Sequence, residues 1–321
     1  MRPTHRPELA FATPRKLPKA RELAGRVVVL DVAFASDASG GGFGKITLPF
    51  LDALGPRLAA WVDHHDHEMH ATYAKDPRFV LSTKAEHGAC PEMVTPDLVA
   101  RIGAVDTIVC HTDFDGLMSA AKWIREGLEP YPEADDDARA IDTRIGAPSR
   151  TGERLDRALR ARPRDHALFG LVVRHLVSGL EDNLLWRAVD DAASALVPLE
   201  QAARRLAEGY RLIPARTPPD FVEVARRAGT MLLEQVAFVD ASTAHGAYDK
   251  TLLLLLGQER AKVALVLDQD TLTMAARFDS HVSFLALLEL SGGMPTLVSV
   301  GKDRLPEVWR RLGVSDADAP L

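Results

Sequence analysis

Thr107-Ile108-Val109-Cys110-His111-Thr112-Asp113-Phe114-Asp115-Gly116-Leu117-Met118-Ser119-Ala120-Ala121 reads as a strand, an acidic turn and a helix in succession. The apolar run stops at a His and two Asp at alternate positions, and after Gly116 the chain continues with helical spacing through Trp123 and Ile124. Ligands of open α/β sheets sit beyond the carboxyl ends of the strands, so His111, Asp113 and Asp115 stand where chemistry is usually done. Capping the following helix would account for one Asp. An imidazole and two carboxylates within five residues call for a site.

Two more apolar runs end in the same way. Arg26-Val27-Val28-Val29-Leu30 runs into Asp31, and Leu58-Ala59-Ala60-Trp61-Val62 runs into Asp63-His64-His65. Continuous apolar strands of this kind are buried on both faces, which predicts an α/β fold built on a parallel sheet. Ser39-Gly40-Gly41-Gly42-Phe43-Gly44-Lys45-Ile46 invites comparison with a phosphate-binding loop, but Ser39 stands where the first Gly belongs and Ile46 where the metal-binding hydroxyl belongs. It reads as a flexible glycine loop. His67-Glu68-Met69-His70 is one residue short of the zinc-binding His-Glu-x-x-His helix, so His67 and His70 read as loop polarity.

The chain has 321 residues, 46% of them hydrophobic and 26% charged, enough for a sizeable core and two domains. Its formal net charge of −6 argues against a sequence-independent grip on duplex DNA, which needs a strongly basic face. No apolar span reaches the roughly 18 residues of a membrane helix, so no membrane partner is expected. Only Cys90 and Cys110 are present, and with no signal-peptide pattern a reducing cytoplasm and free thiols are expected. Cys90 reads as a small buried thiol, because no partnered base marks it as a nucleophile.

Composition divides the chain into an N-terminal arm (1–22) rich in Pro and basic residues, an α/β domain (23–149), a helical connector (150–213) and a smaller α/β C-terminal domain (214–321). The acidic stretch 129–137 reads as a solvated loop, and the Arg residues from Arg150 to Arg164 as mostly an exposed helix face. In the last part the pattern predicts a helix around Phe221 to Glu234 and strands at Val236–Val239, Thr251–Leu256, Val263–Leu267, Leu272–Ala276 and Leu297–Val300. A helix is predicted at Val282–Leu290.

Asp63-His64-His65 at a strand end, together with His111-Thr112-Asp113-Phe114-Asp115-Gly116 followed by Ser119-Ala120, resembles the motifs of the DHH phosphoesterase family. That family comprises manganese-dependent phosphohydrolases, among them single-strand exonucleases, nano-RNases, cyclic-dinucleotide phosphodiesterases and inorganic pyrophosphatases. The resemblance implies that His111, Asp113 and Asp115 ligate both metals, that Asp31 bridges them, and that Asp142 in Ile141-Asp142-Thr143-Arg144 is a further ligand. It also implies that His64 is a ligand, that Asp63 orients His64, and that His65 stabilises the transition-state phosphate. The family's usual order places the His-Asp-Asp motif first; here it follows the segments of Asp31 and Asp63, as in a circular permutation. Chain order does not decide which strand ends are neighbours, so a site built from strand ends tolerates this.

Residues 214–321 resemble the DHH-associated C-terminal domain, which implies that Arg277, Ser280, Gly292 and Gly293 hold the substrate's phosphate or nucleotide. An Arg beside a strand end and a Gly-Gly turn with free amides would also suit an anion on chemical grounds alone. Met294-Pro295-Thr296 replace the family's further Gly and His, which implies an altered substrate choice.

The expected function is a metal-dependent phosphodiesterase that hydrolyses short oligonucleotides or small, including cyclic, nucleotides. Two Mn²⁺ ions, or Mg²⁺ in their place, spaced about 3.5 to 4 Å apart would clamp the phosphate and activate water. Alternatives are a single-strand exonuclease, a pyrophosphatase or polyphosphatase, and a catalytically silent nucleotide-binding protein of the same fold. Unused buried carboxylates would repel one another, which speaks against silence. A homodimer stays open.

Overall fold

The computed structural model describes residues 6–39, 41–216, 234–244 and 246–320. It divides into two compact units, one ending at Ala195 and the other beginning at Leu196.

The first unit is organised on five parallel strands: β1 (Glu8–Ala12), β2 (Val27–Leu30), β3 (Leu58–Asp63), β4 (Phe79–Leu81) and β5 (Thr107–His111). Their order across the sheet is β1-β5-β2-β3-β4. Alternation along each strand sends Val28, Leu30, Val62, Ile108 and Cys110 to one face and Val27, Val29, Trp61 and Val109 to the other. The first face is covered by helices α4 (Pro96–Ile102), α5 (Phe114–Ile124), α6 (Ala134–Thr143), α7 (Arg150–Ala161), α8 (His166–Val177) and α9 (Asn183–Ser194), as numbered with α1 (Gly42–Lys45), α2 (Thr47–Leu54) and α3 (His70–Tyr73) before them. The second face is covered chiefly by α2 and the aromatic cluster around Phe34. Cover on both faces is why these strands are apolar throughout rather than alternating.

In the first unit three sequence expectations change. Glu8–Ala12, within the stretch read as an arm, is the edge strand β1, paired to β5 with Phe11 edge-on to Phe169 of α8. A five-residue strand flanked by prolines carries little periodicity of its own. Residues 150–194 are not a free connector, because Leu155, Leu159, Phe169, Val172 and Leu176 are buried in the first unit's core. The acidic stretch is solvated only in part: Glu129, Glu133 and Asp136 are exposed, but Asp135 pairs with the buried Lys122, and Asp137 accepts from Tyr131 and Ser149.

The second unit holds α10 (Leu196–Ala207), β6 (Arg211–Pro214), β7 (Gln235–Asp240), α11 (Lys250–Gln258), β8 (Val263–Asp268), β9 (Thr271–Ala276), α12 (Phe284–Leu288), β10 (Leu297–Gly301) and α13 (Leu305–Arg311). The strands form a mixed sheet, β10-β9-β8-β7-β6, in which only β7 and β8 run parallel. Thr251–Leu256, expected as a strand, lies inside α11. The reason is local: Asp249 accepts from Leu252 N–H and caps a helix whose Leu253 and Leu254 are buried. The helix expected around Phe221 falls outside the described residues.

Trp61 is fully buried at the centre of β3, and its indole N–H donates to the Val32 carbonyl at 2.9 Å. Trp61→Ala should destabilise the first unit by about 3 to 5 kcal/mol, read as a shift of its urea transition. A loss below about 1 kcal/mol would mean that this face of the sheet is not packed as described.

Candidate metal centre

Strand register puts the candidate ligands on one level. Leu30 pairs with both Val62 and Cys110, so the next residues along, Asp31, Asp63 and His111, emerge side by side from the same end of the sheet. Asp31 N–H continues the ladder to Val62 O, after which its backbone turns at φ +58°. Few residues other than Gly take that conformation, although Asp tolerates it better than most. The turn ends the strand where the Asp31 carboxylate is wholly buried.

Among the described residues, three sets of side chains bring donor atoms within 4.8 Å of one another: Asp31, His64 and His65; Asp31, His111 and Asp113; and His64, Asp115 and Asp142. Asp31 joins the first two. Its Oδ1 lies 3.2 Å from His64 Nε2 and its Oδ2 lies 3.6 Å from His111 Nδ1, yet neither oxygen has hydrogen-bond geometry to a donor. Two orphaned oxygens on a buried carboxylate are costly without a cation. Burial and the Asp115 charge push the Asp31 carboxyl up, but the imidazoles of His111 and His64 prevail and hold it below its ordinary pKa.

Asp113 serves two ends. Its Oδ1 accepts from Gly116 N–H at the start of α5, while its Oδ2 lies 2.6 Å from His111 Nδ1. The cap and the site are therefore one residue. Gly116 is required for close approach, since a Cβ there would stand 2.7 Å from the His111 carbonyl oxygen. Burial opposes a charge on His111, but Asp113 carries its pKa well above the usual value. Asp115, in the first turn of α5, places Oδ2 3.3 Å from His64 Nε2.

The expected role of Asp63 needs correction. Asp63 Oδ1 meets His65 Nδ1 at 2.8 Å, whereas His64 Nδ1 faces the His87 carbonyl, also at 2.8 Å. Side chains two apart at a strand end lie on the same side, so Asp63 reaches His65 and not its immediate neighbour. Burial, Lys84 and His64 all press the His65 pKa well below its usual value, which keeps that imidazole neutral.

Lys84 belongs to the cluster and carried no signal in the sequence. It is 2% exposed, its Nζ lies 2.9 Å from His64 Nε2, and it donates to Asp142 Oδ2. Burial alone would lower its pKa, but Asp142, Asp115 and Asp31 raise it above the ordinary value. Burial raises the Asp142 carboxyl in spite of Lys84. The same set raises His64, against burial and Lys84, through Asp115 and Asp31.

The donor set of Asp31, His111 and Asp113, two carboxylates and an imidazole around an orphaned buried oxygen, suits a hard or borderline divalent cation such as Mn²⁺. The set of His64, Asp115 and Asp142 differs, because an ammonium already stands against two of its members.

Other candidates belong to none of the three sets. His67 and His70 pack edge-on to Phe34, and Met69 N–H donates to His67 Nδ1. Gly44 and Lys45 sit in the short α1, in none of the three sets. Cys90 and Cys110 are free and buried, and burial pushes both thiols up. In the second unit, Arg277 pairs through Nε and Nη2 with Asp279, and Ser280 donates to the Arg277 carbonyl. Gly293 takes φ +131°, open to Gly and strained for other residues.

No family model matches the sequence, and no curated protein matches it. Among solved structures, the chain is similar to the crystal structure of exonuclease RecJ bound to manganese. The identity is 13% and the TM-score 0.43, over 91% of this chain and 75% of that one.

Asp31→Asn keeps the shape of the side chain and removes its charge. Calorimetric titration of the chelator-stripped variant should show Mn²⁺ affinity weakened at least about 100-fold, with an unchanged far-ultraviolet spectrum. Wild-type affinity in the variant would remove Asp31 from the ligand set.

Proposed function

We propose that this protein is a metal-dependent phosphohydrolase that cleaves phosphodiester bonds in short oligonucleotides or small nucleotides. The observation that carries the reading is the Asp31 carboxylate, buried and without a hydrogen-bond donor, at the point where adjacent parallel strand ends deliver imidazoles and further carboxylates. Asp31, His111 and Asp113 would hold a divalent cation, with Mn²⁺ the best match to mixed oxygen and imidazole donors. When bound, such an ion supplies Lewis acidity toward a phosphoryl oxygen and acidifies water.

The chain's own groups supply the rest. Gly116 N–H fixes one oxygen of Asp113, so that the other faces the cluster. Burial holds the His65 pKa down, and with Nδ1 held by Asp63 the ring keeps Nε2 as the nitrogen that can exchange a proton with the phosphate or the attacking water. Hydrolysis adds water across the P–O bond: the phosphorus gains the hydroxyl, and the leaving oxygen takes the proton. The His87 carbonyl holds His64 in one orientation, as backbone acceptors do for imidazole ligands.

Purified protein should hydrolyse at least one member of a panel of dinucleotides, cyclic dinucleotides, single-stranded oligomers and pyrophosphate in the presence of Mn²⁺. Chelator should abolish the activity, and Asp113→Ala should lower it by more than about 100-fold. Full activity in that variant would rule out the assignment of Asp113. Pyrophosphate as the sole substrate would replace the phosphodiesterase reading with a pyrophosphatase.

Substrate length has its own readout. The acidic net charge implies few neutralised phosphates, so log affinity against log salt should have a slope of magnitude no greater than about 2 to 3 for a single strand. A slope steeper than about 5, with tight binding to long strands, would favour an exonuclease that tracks its substrate.

A further inference from the structure

Lys84 lies on the turn that follows β4. Glu86 and His87 N–H both donate to the Thr83 carbonyl, which closes that turn, and Lys84 N–H approaches Asp66 Oδ2 at 3.4 Å. The turn grips one imidazole from both sides: the His87 carbonyl stands at His64 Nδ1 and the Lys84 ammonium at His64 Nε2. The ammonium's other neighbour is the Asp142 carboxylate. His64 and Asp142 are also two of the three members of the set His64, Asp115 and Asp142. The set Asp31, His111 and Asp113 shares no residue with that one.

A dication in the set of His64, Asp115 and Asp142 would need the same side chains and would face a positive charge buried away from bulk solvent. Lys84 has no other place to put its charge, since it is 2% exposed. An ammonium offers donors in several directions, as a cation among carboxylates does, but it cannot bind or ionise water as a metal does.

We propose that the Lys84 ammonium takes the place of a second divalent cation, so that the centre binds a single ion at Asp31, His111 and Asp113. The proposal rests on the metal-centre reading above and narrows it from two ions to one. Lys84 is a positioning residue in this scheme: it holds Asp142 and His64 in place and neutralises the carboxylates that the ion does not reach.

The test is metal stoichiometry in the full chain. Chelator-stripped wild-type protein should take up about one tightly bound Mn²⁺ per chain, with the electron paramagnetic resonance spectrum of an isolated ion. Lys84→Ala should take up about two and show an exchange-coupled pair. If the alanine variant does not fold, Lys84→Gln serves in its place. A coupled pair in the wild type overturns the proposal and leaves the metal centre standing. So does a single ion in both proteins, because Lys84 would not then be what excludes the second. No Mn²⁺ bound by either protein overturns both the proposal and the reading on which it rests.

Discussion

Carboxylates removed from water repel one another, and the first unit gathers Asp31, Asp63 and Asp115 in its interior with Asp142 beside them. Two like charges about 4 Å apart repel by roughly 4 kcal/mol at an effective dielectric of about 20. A domain's whole net stability is about 5 to 15 kcal/mol, so a few uncompensated pairs would exceed it. Three basic side chains of the site answer this constraint. His64 lies between Asp31 and Asp115, His111 between Asp31 and Asp113, and Lys84 against Asp142. The apolar strands beneath supply the burial that makes such an arrangement affordable and hold it in register.

Much of this was legible because two signals coincided. An apolar run that stops at Asp is informative by itself, and three such runs in one chain specify a shared edge. The sheet order makes β5, β2 and β3 neighbours, so the residues following Cys110, Leu30 and Val62 had to meet. Asp113 was readable as a cap or as part of a site, and it is both. The pairing of Asp63 with His65 was available from strand alternation, which the family resemblance obscured.

The remainder was hidden for physical reasons. Lys84 sits in Ser82-Thr83-Lys84-Ala85-Glu86, a polar turn with no period, and a single Lys in such a turn reads as solvated. Only the fold shows that β4 lies beside β3 and drops this turn onto His64. The apolar stripe of 150–194 was visible, but a stripe does not name the surface that covers it. The leucines of 252–256 suit a strand and a helix equally, and Asp249 just before them was the deciding sign.

The edge position of β1 bears on the order in which the chain can assemble. Its partner, β5, begins 99 residues later, at Thr107 against Glu8. At a ribosomal pace of about 5 to 20 residues per second, β1 waits some 5 to 20 seconds before the strand it pairs with exists. An inner strand could not be held open for so late an arrival, whereas an edge can. The sheet is therefore closed on that side by the earliest of its five strands, and before β1 docks the open side of β5 is where another chain's strand would add.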